Sequence, residues 1–216
     1  MGARGQIMQA EAREAVIFVD DDPSMREALL ALMDSIGLPA FAYASVPDYL
    51  AAPELSVPHC LVLDVRMPGR SGLDLQDELA RRAITPPIIF LSGFADVPMS
   101  VRAMKAGAIE FLVKPCRDQD LIDAIFAGIA KDRSQRESLF TLSALRDHLA
   151  TLTPREREVM EYVVRGLLNK QIAGELNLSE ITVKVHRGQV MRKMGAKSLP
   201  ELVRMADILD RAEPGA

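Results

Sequence analysis

The sequence predicts an α/β fold, a doubly wound five-stranded parallel sheet, joined by a helical linker to an all-α unit of four helices that contains a helix-turn-helix. Three observations carry this. Over residues 12–130, short β-branched and apolar runs alternate with segments of helical period, the pattern of a parallel sheet wrapped by helices on both faces. Residues 131–149 begin with a stretch that is polar all round and close on a leucine stripe. Residues 150–212 carry helical periods and cap residues, with no strand run among them.

The elements follow in order. Val16–Asp20 is the first strand. Ser24–Gly37 has helical spacing and stops at glycine, with Asp22 as N-cap and Pro23 at the first helical position. Ala40–Tyr43 is a weak strand. Cys60–Val65 and Pro87–Gly93 are continuously apolar, as buried parallel strands are, and Leu73–Ala83 between them reads as a helix. Val97–Gly107 is a helix with Asp96 as N-cap and Gly107 as stop; Ala108–Lys114 is the last strand. A helix begins near Asp118, and its Leu121, Ile122, Ile125, Phe126 and Ile129 form a core face. After the polar Lys131–Ser138, residues Leu139, Leu142, Leu145 and Leu149 resume a stripe. That stripe fits either a packed partner helix or a solvated connector whose leucines touch a neighbouring unit.

In the last part, Thr153-Pro154-Arg155-Glu156 supplies a cap, a proline at the first helical position and a capping-box glutamate, for a helix to about Arg165. Asn169–Leu176 is a second helix, and Asn177-Leu178-Ser179 turns the chain. Ser179 caps a third helix to about Met194, and a fourth runs from Ser198 to Arg211. The tight turn between the second and third predicts helix-turn-helix.

Composition narrows the function classes. Of 216 residues, 49% are hydrophobic and 26% charged, as in globular domains, which excludes a disordered chain. No apolar stretch approaches the roughly 18–20 residues that span a bilayer. The opening MGARGQIMQAEARE has neither an apolar core nor a cleavage site, and Gln6 does not suit myristoylation, so a cytoplasmic protein is expected. Cys60 and Cys116 are isolated, with no zinc or disulfide spacing. The net charge of −4 combines an acidic excess over 12–130 with a slight basic excess from 150 onward.

Polar residues of the sheet collect at one edge. Asp20 and Asp21 end the first strand, Asp64 lies in the last turn of the third, Ser92 ends the fourth and Lys114 the fifth. In a doubly wound sheet these carboxyl ends line the crevice where strand order reverses and ligands bind. Carboxylates that close repel unless a cation shields them, and hard oxygen ligands suit Mg2+. A carboxylate beside a divalent ion, an ammonium and a hydroxyl can accept a phosphoryl group, with catalysis mainly by positioning and charge neutralisation.

The segments IFVDDDPSMREAL, LVLDVRMPGRSGLDL, FLSG and EFLVKPC resemble the receiver domain of two-component response regulators, from roughly Ala15 to Ala130. The resemblance implies Asp64 as phosphoacceptor, Mg2+ held by Asp20, Asp21, Asp64 and the Arg66 backbone carbonyl, Ser92 and Lys114 as phosphoryl partners, and Phe111 as the switch aromatic. It also implies a cis Lys114–Pro115 bond. Ser92 stands where Thr is commoner, Phe111 where Tyr is common, and Cys116 where Phe is usual. A haloacid-dehalogenase-type phosphatase would place an acid where Arg66 stands.

From Glu180 the third C-terminal helix places Val183, Val190, Met191 and Met194 on one face and Ile181, Lys184, Val185, Gly188 and Arg192 on the other. Residues 181–200 contain five basic side chains and no acid, as suits a helix whose first turns meet base edges and whose flanks meet phosphates. Residues 152–209 resemble the LuxR-type helix-turn-helix, and its pairing with a receiver resembles FixJ-type regulators. The resemblance implies that Lys184, Val185 and His186 reach DNA, with Lys170, Thr182, Arg187 and Lys193 near phosphates. For His186, helix packing stays equally open. The same resemblance implies a sensor histidine kinase, promoter DNA with an inverted repeat, RNA polymerase, and a homodimer when phosphorylated through a face including Val101, Met104 and Lys105. A DNA-binding regulator with a vestigial receiver and a signalling adaptor without DNA are the alternatives.

Overall fold

The computed structural model describes residues 13–82, 86–93 and 96–212. The opening segment up to residue 12, read above for a leader, and Ala83, the expected end of a helix, lie outside them. Strands β1 (Ala15–Val19), β2 (Ala40–Tyr43), β3 (His59–Asp64), β4 (Ile88–Ser92) and β5 (Glu110–Val113) form one parallel sheet in the order β2-β1-β3-β4-β5. The order reverses between β1 and β3, so the carboxyl ends of those two strands flank the crevice.

Strand residues alternate between two cores. Val16, Phe18, Cys60, Val62, Ile89 and Leu91 pack on Leu29 and Met33 of α1 (Pro23–Ser35) and on Leu121, Ile125 and Ile129 of α5 (Asp118–Ala150). Ile17, Val19, Leu61, Leu63 and Phe90 face the other way. They meet Val46 of α2 (Val46–Leu50), Leu75 and Leu79 of α3 (Gly72–Arg81), and Ala103 of α4 (Val97–Lys105). Period-two burial on both faces is what made these strands continuously apolar in sequence. The doubly wound five-stranded fold is therefore present. Asp22 and Asp96 cap α1 and α4 as expected, accepting the N–H groups of Ser24 and Met99. Two elements differ from expectation. The five-residue α2, capped by Ser45, is too short to show a helical period. Strand β5 is shorter than the apolar run around it, because Ala108 and Ile109 belong to the turn after α4.

Helix α5 has 33 residues, and the chain divides into two compact units, Met1–Arg136 and Glu137–Ala216. Its polar stretch is largely exposed but is fastened at Asp132 and Arg136. Asp132, only 6% exposed, accepts the His59 backbone N–H at 2.9 Å and Arg136 Nε at 2.6 Å. Arg136 also donates to the Ser56 carbonyl at 3.2 Å, and Arg133 pairs with Glu14.

In the second unit, α6 (Pro154–Val164), α7 (Asn169–Leu176), α8 (Glu180–Met194) and α9 (Leu199–Ala212) close around Val159, Val163, Ile172, Val183, Val190, Met194 and Leu202. Leu145 joins this core, with Leu142 and Leu149 packed against it; Leu139 stays 65% exposed. The leucine stripe thus serves this unit's own core. Thr153 and Glu156 form the capping box of α6. Asn177, at φ 52°, makes the left-handed turn between α7 and α8, a conformation that Asn tolerates better than most residues.

Candidate functional site

The crevice is built from chain ends that the sheet delivers. Asp20 follows β1 and is 3% exposed; its N–H donates to the Tyr43 carbonyl at 3.2 Å. Its Oδ1 accepts the Asp22 N–H at 2.9 Å and its Oδ2 accepts Lys114 Nζ at 2.6 Å. Asp64, the last residue of β3, accepts the Arg66 N–H on Oδ1 at 2.9 Å and Lys114 Nζ on Oδ2 at 2.8 Å. Asp64's side chain remains 13% exposed, so it is open to solvent. Asp21 stands exposed beside them, and the three acids offer oxygens all within 4.8 Å of one another.

One ammonium therefore bridges two carboxylates and offsets the charge of one. Burial works against the charge of Lys114, but its hydrogen bonds to Asp20 and Asp64 outweigh that and raise its pKa. The Lys114–Pro115 bond is cis, as expected from the resemblance. The Lys114 N–H donates to the carbonyl of Ser92 at 2.8 Å, which sets the two strand ends side by side. Ser92 is fully buried at the end of β4, one residue past Leu91, the register partner of Asp64. Phe111 is half-buried, its ring centroid 6.0 Å from that of Phe90. Three oxygen donors so close are chemically suited to a small hard cation, and the residues present fit Mg2+.

Two neighbours of the crevice were not singled out in the sequence. Arg26 donates to the Asp20 carbonyl at 2.7 Å from the first turn of α1; its six-residue spacing from Asp20 was the available hint. Gly72 opens α3 directly against Asp64, where an added Cβ would lie 2.3 Å from the Asp64 carbonyl oxygen. Nearby on the surface, Val97, Val101 and Met104 of α4 and Val113 of β5 are 76%, 44%, 43% and 49% exposed, and Lys105 is exposed beside them.

The second unit presents α8. Val183, Val190 and Met194 are fully buried and Met191 packs against them, while Ile181, Lys184, Val185, Gly188 and Arg192 are exposed, as the periodicity predicted. Thr182 is half-buried, its N–H held by the Ser179 hydroxyl at 3.1 Å. Lys170 is exposed in the first turn of α7. Arg187 reaches Asn169 Oδ1 at 3.1 Å, and His186 is half-buried on the flank. Lys193 is turned inward, donating to Glu156 Oε2 at 2.6 Å and to the Thr151 carbonyl at 3.1 Å. That hydrogen bond, with the capping contact from Thr153, pushes the Glu156 carboxyl down to about 2. Sequence reasoning could not see this pair, since 37 residues separate its members.

An acid crevice at the switch point of a 2-1-3-4-5 sheet, joined to a helix-turn-helix with a basic outer face, is the architecture of a regulatory protein that acts on DNA. Residues 16–126 match the response regulator receiver domain and residues 150–206 the luxR family of bacterial regulatory proteins. The chain belongs to the two-component response regulators of FixJ type: it is a transcription regulator and not an enzyme. It is 52% identical over 208 residues to Nodulation protein W of Bradyrhizobium diazoefficiens, covering 95% of this chain and 92% of that one. Among solved structures it resembles response regulator StyR at 44% identity and TM-score 0.82, over 91% of this chain and 99% of that chain. Full-length FixJ from B. japonicum follows at 36% identity and TM-score 0.54, over 93% and 98%. Among the described residues, no helix is long and apolar enough to cross a membrane.

Proposed function

We propose that Asp64 accepts a phosphoryl group from the phosphohistidine of a sensor kinase and that this controls DNA binding by α8. The supporting observation is that Lys114 bridges Asp20 and Asp64 at 2.6 and 2.8 Å while Asp64 stays open to solvent. An Asp64 carboxylate oxygen attacks phosphorus, the P–N bond breaks, and the histidine leaves with the electron pair. Lys114 pairs with a phosphoryl oxygen once Asp64 is esterified, and the Ser92 hydroxyl turns to another. Asp20, Asp21, Asp64 and the Arg66 carbonyl would hold Mg2+, which when bound supplies charge neutralisation between donor phosphate and acceptor carboxylate. Phe111 follows Ser92 inward, changing the adjoining face of α4 and β5. In this reading residues 12–130 form the receiver, 131–149 the linker and 150–212 the DNA-binding domain.

Receivers then pair through Val101, Met104 and Lys105, and two copies of the second unit meet an inverted repeat. Bivalence raises affinity with no new base contact. Lys184, Val185 and His186 meet bases; Lys170, Thr182 and Arg187 meet phosphates. Lys193 is committed to Glu156 in the free protein, so its phosphate contact requires that pair to open. Promoter-bound dimers contact RNA polymerase and activate transcription. Sedimentation and promoter binding with and without beryllofluoride and Mg2+ test the scheme. The expected result is dimer formation and tighter binding, both abolished in Asp64→Asn. Undiminished DNA binding by Asp64→Asn after phosphodonor treatment overturns it and leaves the receiver without a switching role.

A further inference from the structure

The most exposed large aliphatic side chain of α8 has no task in the fold. Ile181 is 78% exposed at the second position of the helix, at the centre of the stripe opposite Val183, Val190 and Met194. Val185, one turn on, is 58% exposed on the same stripe. β-Branched residues are mediocre helix formers and stiff about χ1, so helix stability does not account for isoleucine here. Their stiffness does present a fixed apolar surface. Further along the same exposed stripe the charged side chains are Lys184 and Arg192, and the one exposed acid beside Ile181 is Glu180 in the first turn. Gly188, one turn beyond Lys184, has open space where a Cβ would be and keeps the helix surface low.

An apolar knob whose helix face carries cations further along fits a polyanion that displays an apolar group in reach. In duplex DNA the major groove offers such a group, the 5-methyl of thymine, and the first turns of a recognition helix meet base edges there. We infer that Ile181 is a specificity-determining residue whose side chain packs on the 5-methyl group of a thymine in each half of the operator. The inference rests on the DNA-binding reading above and adds a residue and a base to it.

Uracil substitution tests it, because it removes only the methyl. Random-sequence duplexes are selected with the full chain in beryllofluoride and Mg2+, and each enriched thymine is replaced singly by deoxyuridine. Burial of one methyl group corresponds to about a four-fold effect on affinity. The expected result is a loss of about that size at one thymine per half-site, absent in Ile181→Ala and retained in Ile181→Leu. The variant is expected to keep the wild-type salt dependence, whereas Lys170→Ala, at a proposed phosphate contact, lowers the slope by about one counterion. If Ile181→Ala keeps the wild-type loss at every thymine, or the wild type loses nothing at any, the inference is overturned while the DNA-binding reading stands. If no sequence is enriched, the DNA-binding reading itself falls.

Discussion

Glu156→Gln isolates one charge at the base of the DNA-binding unit. Glutamine keeps the shape and can still accept the Thr153 N–H, which Glu156 accepts at 2.8 Å. It loses the charge that pairs with Lys193 at 2.6 Å. The carboxyl lies at about 2 instead of 4.5, and at about 1.4 kcal/mol per unit this difference corresponds to about 3 kcal/mol. Lys193 is 21% exposed, so water screens part of it, and the expected loss at pH 7 is about 1.5–3 kcal/mol. The folded-state pKa is depressed, so the stabilisation is complete above pH 4.5 and disappears as pH falls toward about 2. Wild type and variant should therefore converge in acid, with more than half of the difference gone by about pH 3. The assay is urea unfolding of the full chain followed by methyl NMR of Val159 and Val190, both fully buried in that unit. An unchanged midpoint at pH 7, or a difference that persists undiminished in acid, refutes the electrostatic account.

Three further outcomes are expected. Gly72→Ala pushes a methyl onto the Asp64 carbonyl 2.3 Å away; it should cost about 2–3 kcal/mol in urea unfolding and slow phosphorylation by acetyl phosphate, and normal rates would contradict the close packing. Lys114→Met frees an oxygen on each of Asp20 and Asp64, so isothermal titration should show tighter Mg2+ binding; weaker binding would mean the ammonium organises the acids rather than competes for them. Gly188→Ala should raise the stability of the second unit by about 0.8–1 kcal/mol in urea, since its Cβ meets open space in the free protein; if this face enters the groove as proposed, it should also weaken operator binding.

Legibility in the sequence tracked the range of the forces involved. Strands β1, β3 and β4 are buried on both faces, so their apolar runs could be read directly. Caps at Asp22, Asp96, Thr153 and Ser179 are local chemistry within three residues, and each is present. The crevice acids were legible because the ends of strands in a doubly wound sheet share one edge. What stayed hidden joins distant residues. The Asp132–Arg136 fastening to His59 and Ser56 was invisible in a stretch that reads as polar all round, because charged residues signal burial only through partners that one segment does not reveal. The Lys193–Glu156 pair stayed unseen for the same reason.

Strand β5 lies at the rim of the sheet, hydrogen-bonded on one side only, and none of its residues is fully buried. Just past its end, Lys114 crosses over β4 to hold acids belonging to β1 and β3. This edge strand is thereby moored, by a single cation, to the carboxylate proposed to accept the phosphoryl group. In the proposed scheme, a phosphoryl group on Asp64 would change the load on that mooring without any message having to pass through the middle of the sheet, and the pull would fall on a strand whose residues are exposed or only partly buried.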